Sequence, residues 1–357
     1  MIIDNYILFR KGLYIDYDVK LISASLDITS SCNLSCIHCY QKNLRANLLE
    51  NKSNIKKILK KLKMIGIEEI TLSGGEPTCS PIFVDIIKMA KENEFFIRII
   101  TNGLNIRSLY QCLDILDPIY DVIQFSIDEP IFINLRQRYY SNENAIIYKN
   151  LEVLTKLYKN LIVNITPTKQ NQSFITEIVK DCIIKGSKYI AATPYIPIGG
   201  VESDSIIPDY NIVREQNHLV RNLCKTKGIE YYGGIDGHIC QSHLPISNVK
   251  NVKLERAGDF AYSCDACRFN IHILSNGDVV PCSFFQNYKL DNLLYSDIQT
   301  LLKKLRMFRK NLPIIPSECQ TCSCVDLCNG GCMGLIYDRY NCFGNKDPRC
   351  VGTDYDG

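Results

Sequence analysis

Residues 31–40 read SCNLSCIHCY and place Cys32, Cys36 and Cys39 in the spacing C-x3-C-x2-C. Three thiolates on one short loop can hold three irons of a [4Fe–4S] cube, and the fourth iron then has no protein ligand. An open metal position is typical of a catalytic site, whereas structural sites are closed by protein ligands. The loop therefore predicts a catalytic cluster near the start of the chain.

The cysteine loop follows the first of six predicted strand–helix units. We predict strands at 21–28, 69–73, 95–101, 121–127, 161–166 and 189–193, and helices at 54–65, 81–92, 104–116, 144–158, 174–185 and 209–227. This alternation favours an α/β fold with a parallel sheet and outer helices. Six units are too few for a closed eightfold barrel, so we predict a partial (β/α)6 barrel with its chemistry at the carboxyl ends of the strands.

Composition narrows the class of protein. The chain has 357 residues, a formal net charge of +3 and 18 cysteines. So small a charge gives no indication of a nucleic-acid partner, and no apolar run approaches the ~20 residues of a membrane helix. Residues 1–20 lack the apolar core of a signal peptide, so we expect a cytoplasmic location. Cysteines in such a chain indicate metal ligands or packing rather than a disulfide scaffold.

The C-terminal part has a different composition. Ten cysteines lie between Cys264 and Cys350, and Asn276-Gly277 between two β-rich runs, 271–274 and 279–282, predicts a hairpin. We predict one helix at 296–310 and loop elsewhere. Such a segment buries little apolar surface and needs metal to hold it together. We therefore divide the chain into an extension (1–20), a core (21–235) and a bridging segment with a cysteine-rich domain (236–357).

Further motifs stand where predicted strands end. Gly74-Gly75-Glu76-Pro77 follows the second strand, and its glycines would let the backbone approach a ligand closely. Together with the cysteine loop and the aromatic Tyr40 behind it, this pattern resembles the radical SAM superfamily. The resemblance implies that the open iron binds S-adenosylmethionine (SAM). It also implies that one electron cleaves SAM to a 5′-deoxyadenosyl radical, which abstracts hydrogen from the substrate.

The resemblance also implies a set of SAM-binding residues, all at strand ends. They are Gly74, Gly75, Glu76, Pro77, Asn102, Ser126, Asp128, Asn164, Thr166, Pro197 and Gly199. Either Arg136 or Arg138 would meet the SAM carboxylate, a task that suits the bidentate geometry of a guanidinium. One departure is that Glu129 occupies the position where the family's Ser-x-Asp motif continues with glycine.

The C-terminal cysteines resemble the SPASM domain, a module of auxiliary clusters found on peptide- and protein-modifying members of the superfamily. The resemblance implies two further [4Fe–4S] clusters. The first would take Cys267, Cys282 and Cys332, with Cys264 as a candidate fourth ligand, and the second would take Cys319, Cys322, Cys328 and Cys350. A pair of zinc sites is the alternative, because C-x2-C knuckles also bind zinc.

This two-domain plan implies modification of a ribosomally made peptide through a crosslink or a change of stereochemistry. The expected partners are a precursor peptide or protein and an electron donor such as flavodoxin or ferredoxin, with no nucleic acid and no membrane. Residues 1–20 are too few for a leader-recognition domain, so a separate recognition protein is a further candidate. Cys240 is a candidate hydrogen-atom donor to a substrate radical.

Three other functions remain open at this point. A sulfatase-maturating type would oxidise a Cys or Ser of a protein, but its usual Asp base after the hairpin cysteine is Ser283 here. Maturation of haem-type or other small molecules is also open, because the ending Asp347-Pro348-Arg349-Cys350 occurs in that group too. An electron carrier would explain the later cysteines but not Gly74–Pro77.

Overall fold

The computed structural model describes residues 21–41, 45–135, 137, 143–199, 201–233, 266–267, 269–312, 314–322, 325–328 and 330–350. Arg136, Arg138, Cys240 and Cys264 lie outside these ranges. Within them, no helix has the length and apolar character that a membrane crossing requires.

Ten strands form a single open sheet. The strands are β1 (Ser23–Thr29), β2 (Glu69–Gly74), β3 (Phe96–Thr101), β4 (Val122–Ser126), β5 (Leu161–Ile165), β6 (Tyr189–Ala192), β7 (Glu230–Gly233), β8 (Asn270–Ile273), β9 (Asp278–Val280) and β10 (Asp291–Asn292). Their order is β10–β9–β8–β1–β2–β3–β4–β5–β6–β7, and β1 to β7 are all parallel. Within the described residues the two outermost strands, β10 and β7, do not pair, which confirms the prediction of a partial barrel.

Helices connect the parallel strands and cover one face of the sheet. They are α1 (Lys52–Met64), α2 (Phe83–Glu92), α3 (Arg107–Tyr110), α4 (Glu143–Leu157), α5 (Ile175–Ile184) and α6 (Tyr210–Lys227), followed by α7 (Ile298–Lys310), α8 (Val325–Cys328) and α9 (Met333–Tyr340). Asn51 caps α1 by accepting from the N–H groups of Ser53 and Asn54. The four buried residues of α1, at 55, 58, 59 and 62, follow helical spacing and form its packed stripe.

The two faces of the sheet differ in polarity because side chains alternate along a strand. In β1, Leu26 and Ile28 are fully buried in the apolar core, whereas Asp27 points to the opposite face. In β2, Leu72 belongs to the core and Ser73 shares the face of Asp27, to which it donates a hydrogen bond. The inner face of the partial barrel is therefore polar near the carboxyl ends of its strands.

The predicted hairpin is confirmed, and it extends the core sheet. β8 pairs with β1 in parallel, β9 pairs with β8 antiparallel, and β10 pairs with β9. Gly277 makes the turn with a φ of +83°, a conformation that favours glycine. The N–H of Gly277 donates to the carbonyl of Leu274. The C-terminal cysteine region thus begins on the open edge of the first core strand.

Five elements differ from the sequence predictions: β7, α3 and α9, and also the short β10 and α8, which form in stretches predicted as loop. A seventh parallel strand, β7, follows α6 and pairs with β6, but its four residues are too few to show alternation. The helix predicted at 104–116 is helical only over α3 and continues as turns, with Cys112 donating to the carbonyl of Leu109. α9 forms in a stretch predicted as loop. Its eight residues include Gly334, which weakens the local helical signal.

Candidate active site

The cysteine loop leaves the carboxyl end of β1 with three free thiols. The N–H of Cys39 donates to the carbonyl of Cys36 over 3.2 Å, and the N–H of Leu34 points at the Cys32 sulfur over 3.4 Å. Desolvation raises the pKa of Cys32, and the nearby charge of Glu76 raises it further, whereas the Leu34 N–H lowers it. Every cysteine within the described residues is a free thiol, as ligation requires.

The glycine pair lies against the approach to this loop. Gly75 donates to the carbonyl of Thr29, and Glu76 donates to that of Ser31, each over 2.9 Å. A Cβ on Gly74 would stand 2.1 Å from the Thr29 oxygen, and one on Gly75 would stand 2.3 Å from the Ser31 oxygen. Glycine is therefore needed at both positions because the backbone of Thr29 and Ser31 lies so close.

Glu76 is almost fully buried and accepts four hydrogen bonds. Oε1 accepts from the N–H and hydroxyl of Thr78 and from the hydroxyl of Thr101, and Oε2 accepts from the N–H of Asn102 over 2.7 Å. Burial raises the pKa of this carboxyl, while these donors lower it. Its acceptor positions are filled by the protein, so the side chain joins the end of β2 to the end of β3. Pro77 then opens a short 3-10 helix that Glu76 caps.

Asn102 connects the end of β3 to the cysteine loop. Its amide nitrogen donates to Asn33 over 2.7 Å, and its amide oxygen accepts from the N–H of Leu104. Asn33 directly follows Cys32, so the predicted cofactor residue Asn102 lies beside the predicted cluster. This contact brings the end of β3 to the cysteine loop.

Asp128, two residues after β4, makes a second contact with the cysteine loop. One carboxylate oxygen accepts from the N–H of Thr166 over 2.8 Å, and the other lies 3.4 Å from Nε2 of His38. His38 lies between Cys36 and Cys39, two predicted cluster ligands, and the sequence pattern indicates no role for it. The predicted site residues Asp128 and Thr166 are thus in contact with each other.

Glu129, which stands where the family's Ser-x-Asp motif continues with glycine, has hydrogen-bond partners of its own. Its buried carboxylate accepts from the N–H groups of Gln137 and Leu135 over 2.8 and 2.9 Å, and from the side chain of Asn144 over 3.0 Å. The Gln137 carbonyl in turn accepts from the N–H of Ile37 in the cysteine loop. Glu129 therefore holds Leu135 and Gln137, and Gln137 in turn contacts the cysteine loop.

Four further predicted cofactor residues lie at or after the carboxyl ends of β4, β5 and β6. Ser126 and Asn164 are register partners on β4 and β5, and Asn164 donates to Thr193 over 3.1 Å. Pro197 is buried, and the N–H of Gly199 donates to the carboxylate of Asp338 over 3.0 Å. Asp338 lies on α9, so the C-terminal segment reaches the loop that follows β6.

The cysteines at the hairpin have their own local geometry. Cys267 precedes β8 with a φ of +57°, uncommon for a residue with a side chain, and its N–H donates to the carbonyl of Asn270. Cys282 follows β9, at the same end of the hairpin. Cys332 caps α9, and its N–H donates to Asp347 over 2.7 Å.

A second group of cysteines lies near the C-terminus. Cys322 donates its N–H to the carbonyl of Cys319 over 3.1 Å. Burial raises the pKa of Cys319, and the neighbouring Cys350 and Cys322 raise it further, which places these three thiols close together. Within the described ranges, no three His, Cys, Asp or Glu side chains converge on one metal-ion position. A cubane cluster does not require such convergence, because each iron takes its own thiolate.

A buried polar network joins the cysteine loop to the hairpin. The Asp27 carboxylate accepts from Gln41 over 2.6 Å and from Ser73 over 3.1 Å, and it lies 2.9 Å from Nε2 of His272 on β8. Asp27 and His272 are each about 1% exposed, so this is a fully buried acid–imidazole pair. No sequence motif indicated either residue, because their pairing depends on the contact between β1 and β8.

Tyr40 extends this junction. Its ring packs edge-on against Phe284 at 5.6 Å, and its hydroxyl hydrogen-bonds with Ser283 and Gln41. Burial raises the pKa of the Tyr40 phenol. Arg45 also donates to the carbonyl of Gln286. The loop that carries Cys39 therefore contacts the segment that follows Cys282.

Two family models match separate parts of the chain. Residues 26–181 match the family model of the radical SAM superfamily, and residues 264–323 match that of an iron–sulfur cluster-binding domain. Mycofactocin maturase MftC of Mycobacterium tuberculosis is 23% identical over 342 residues, which cover 92% of this chain and 83% of MftC.

Two solved structures share the fold over nearly the whole chain. SuiB of Streptococcus suis bound to S-adenosylmethionine has a TM-score of 0.74 at 20% identity, covering 93% of this chain and 78% of SuiB. The enzyme anSMEcpe with bound AdoMet has a TM-score of 0.72 at 16% identity, covering 91% of this chain and 93% of anSMEcpe.

Proposed function

Because the chain belongs to the radical SAM superfamily and carries a C-terminal iron–sulfur cluster-binding domain, we propose that it modifies a ribosomally made peptide. The observation that carries this proposal is the match to the maturase MftC across both domains, over 92% of this chain. SuiB, which shares the fold, has been solved bound to its precursor peptide SuiA. The product would be a crosslinked, epimerised or otherwise modified peptide.

The cysteine loop fits the core cluster. Its three free thiols follow one strand, and its backbone is fixed by Gly75 and by Asn102. When bound, the cluster supplies the electron that cleaves SAM to a 5′-deoxyadenosyl radical. The chain's own residues position that chemistry at the polar inner face of the sheet.

Within the SAM pocket, the predicted residues divide into two roles. The carboxylates of Glu76 and Asp128 accept hydrogen bonds from the protein, so they would shape the pocket. The hydroxyls of Ser126 and Thr166 form no hydrogen bond to any described residue and would be available to SAM. Gly74, Gly75 and Pro77 would present backbone to the SAM amino group, and Arg136 or Arg138 would hold its carboxylate. Asn102, Asn164, Pro197 and Gly199 complete the set.

We further propose three [4Fe–4S] clusters in total. Cys267, Cys282 and Cys332 would hold the first auxiliary cluster, with Cys264 as its candidate fourth ligand. Cys319, Cys322, Cys328 and Cys350 would hold the second. The contact of Tyr40 with Phe284 supports this arrangement, because it brings the core loop beside the hairpin cysteine. Loaded auxiliary clusters would store the electron that remains after bond formation.

The proposed partners follow from the same chemistry. Reductive cleavage of SAM needs an electron donor such as flavodoxin or ferredoxin, which is found in the cytoplasm. A precursor peptide would be the substrate, and a separate leader-recognition protein would present it. Cys240 remains a proposed hydrogen-atom donor for a reaction that changes stereochemistry.

The first experiment is anaerobic turnover with dithionite and SAM. The reconstituted enzyme should form 5′-deoxyadenosine, and a Cys32/Cys36/Cys39→Ala variant should form none. An electron carrier would form none in either case, and that outcome would refute the proposal of SAM chemistry.

The substrate is tested with a short peptide encoded next to the gene. With the peptide deuterated at its side chains, deuterium should appear in 5′-deoxyadenosine and the peptide mass should change. Deoxyadenosine without deuterium transfer from any such peptide would reject the peptide substrate. Porphyrin genes in that position would then favour maturation of a small molecule.

A further inference from the structure

The loop after β6 is long for its fold and receives support from outside the core. It spans residues 193–209, between the ends of β6 and α6, whereas such connections commonly have ~2–6 residues. The core contacts the loop at its margins, where Asn164 donates to Thr193, Lys169 donates to the carbonyl of Ile206, and Asp209 donates to Gln172. In the middle of the loop Tyr195 and Ile198 are buried, and α9 adds two polar contacts, at Gly199 and Asp204.

Two consecutive residues of α9 make this contact. Asp338 accepts the N–H of Gly199 over 3.0 Å. The guanidinium of Arg339 donates twice to the carboxylate of Asp204, over 2.9 and 2.8 Å. The Arg339 side chain is 15% exposed, and the two parallel hydrogen bonds fix the relative orientation of both groups. A backbone donor and a bidentate ion pair therefore fasten the loop at two points.

α9 is in turn tied to the predicted cluster ligands. Cys332 is its N-cap, and the N–H of Cys332 donates to Asp347, which also accepts from Arg349 over 2.8 Å. The carbonyl of Asp347 accepts from the N–H of Cys350. A continuous set of contacts thus runs from two predicted cluster cysteines through one helix to the loop that carries Pro197 and Gly199.

We propose that Asp338 and Arg339 are positioning residues for the SAM pocket. They hold the loop after β6 in its binding conformation when the C-terminal module is folded. The inference rests on the proposed function, in which Pro197 and Gly199 contact SAM. Gly199 has a φ of +103°, one of several conformations that glycine adopts readily, so the hydrogen bond to Asp338 helps to select it. Folding of the C-terminal module around its metal would then raise the affinity for SAM.

The central test measures SAM binding in cluster-loaded protein, by calorimetry and by the change that SAM causes in the electron paramagnetic resonance spectrum of the reduced core cluster. Arg339→Asp should raise the Kd for SAM about tenfold, a factor within the range of coupling between contacting residues. The swapped pair Asp204→Arg/Arg339→Asp should recover most of the lost affinity. Asp338→Ala should weaken binding, while Asp338→Asn, which keeps an acceptor oxygen, should weaken it less.

A matched control is Glu152→Gln, because Glu152 pairs with Lys185 over 2.8 Å on the outer helices. It should leave the Kd for SAM unchanged. If Arg339→Asp loses iron, Asp204→Ala decides the question from the core side of the same contact. Hydrogen exchange across residues 197–206, measured without SAM, should be faster in Arg339→Asp and Asp204→Ala.

The outcomes distinguish the positioning role of Asp338 and Arg339 from the proposed function on which it rests. A wild-type enzyme that binds no SAM refutes both. A wild-type enzyme that binds SAM, with variants of equal Kd and equal exchange in the loop, refutes the positioning role alone. Weaker binding with no recovery in the swapped pair would also overturn the assignment of the ion pair.

Discussion

At the carboxyl end of β2, the backbone of Gly74 lies against Thr29 with no room for a Cβ. We expect Gly74→Ala to push the cysteine loop away from β2 and to lower the iron content by about four atoms per chain, the content of one cube. Gly66→Ala is the matched control, since Gly66 also has a positive φ but no atom lies within 4 Å of the place that a Cβ would take. Iron analysis after anaerobic reconstitution checks both variants, and equal iron would show that the loop tolerates displacement.

Asp27 and His272 form a buried pair whose loss should be costly. An amide offers one acceptor oxygen where the carboxylate offers two, so Asp27→Asn leaves either Gln41 or Ser73 without its acceptor, a loss that typically costs ~1–3 kcal/mol. Asp27→Asn should therefore lower the free energy of unfolding by about that amount, measured by anaerobic urea denaturation of the cluster-loaded protein. Asp85→Asn is the control, because the pair of Asp85 with Lys52 is exposed and should change stability by less than ~1 kcal/mol. Similar losses of unfolding free energy in both variants would show that the buried contact of Asp27 contributes no more to stability than the exposed pair does.

Among the elements, α1 shows how a pattern of charges can hide an interface. Its run of lysines predicts a solvated face, and Lys60 is indeed exposed. Lys61, however, donates to the carbonyls of Leu293 and Ser296 over 2.7 and 2.6 Å. These carbonyls belong to the segment between β10 and α7, so one lysine joins the core to the C-terminal module.

The neighbouring lysines of α1 offer a direct comparison. Lys61→Met keeps the length of the side chain but leaves two carbonyls without their donor, which should cost about 1–3 kcal/mol of stability. Lys60→Met should stay within about 0.5 kcal/mol of the wild type. Chemical denaturation of both variants measures the difference. A loss for Lys60→Met as large as that for Lys61→Met would contradict the role of the contact.

The elements most readily predicted were those encoded by local signals. Strand–helix alternation gave six core strands, and Asn276-Gly277 gave the hairpin, because each pattern depends on neighbouring residues. β7 and α9 were missed because four and eight residues carry too little periodicity. The position of β8 beside β1 was also missed, since pairing between distant strands leaves no local trace. The contacts of Asp27 with His272 and of Asp338 with Gly199 follow from that same long-range packing.

At the scale of the whole molecule, cysteine spacing indicates where the candidate site lies, but it does not indicate the contacts among the side chains there. The spacing of Cys32, Cys36 and Cys39 predicts the core site, and the structure brings Asn102 and Asp128, from the ends of two strands, into contact with that loop. What spacing could not predict is how these neighbours divide their work. Glu76, Asp128 and Glu129 accept hydrogen bonds from the protein's own backbone, a role that only the folded chain defines.

Metal content distinguishes the proposed assembly from its zinc alternative. Three cubes predict about 12 irons per chain, falling to about 8 in the Cys32/Cys36/Cys39→Ala variant. The remaining iron should fall further when Cys319 is replaced. About 4 irons falling to none, with zinc present, would keep the core cluster and reject the auxiliary clusters. Elemental analysis with sulfide determination after anaerobic reconstitution provides the measurement.

The pairing of β8 with β1 has a consequence for the order in which the chain is made. Ser23 in β1 and its contact Phe269 beside β8 are 246 residues apart. At ~5–20 residues per second, a ribosome needs roughly 12–50 s to add the second after the first. Throughout that interval one edge of β1 has no partner strand, and an open edge invites pairing with other chains. The nascent chain is therefore most prone to aggregate before its last third has left the ribosome. Fewer translation starts per minute, or a chaperone that binds the nascent chain, should raise the soluble yield.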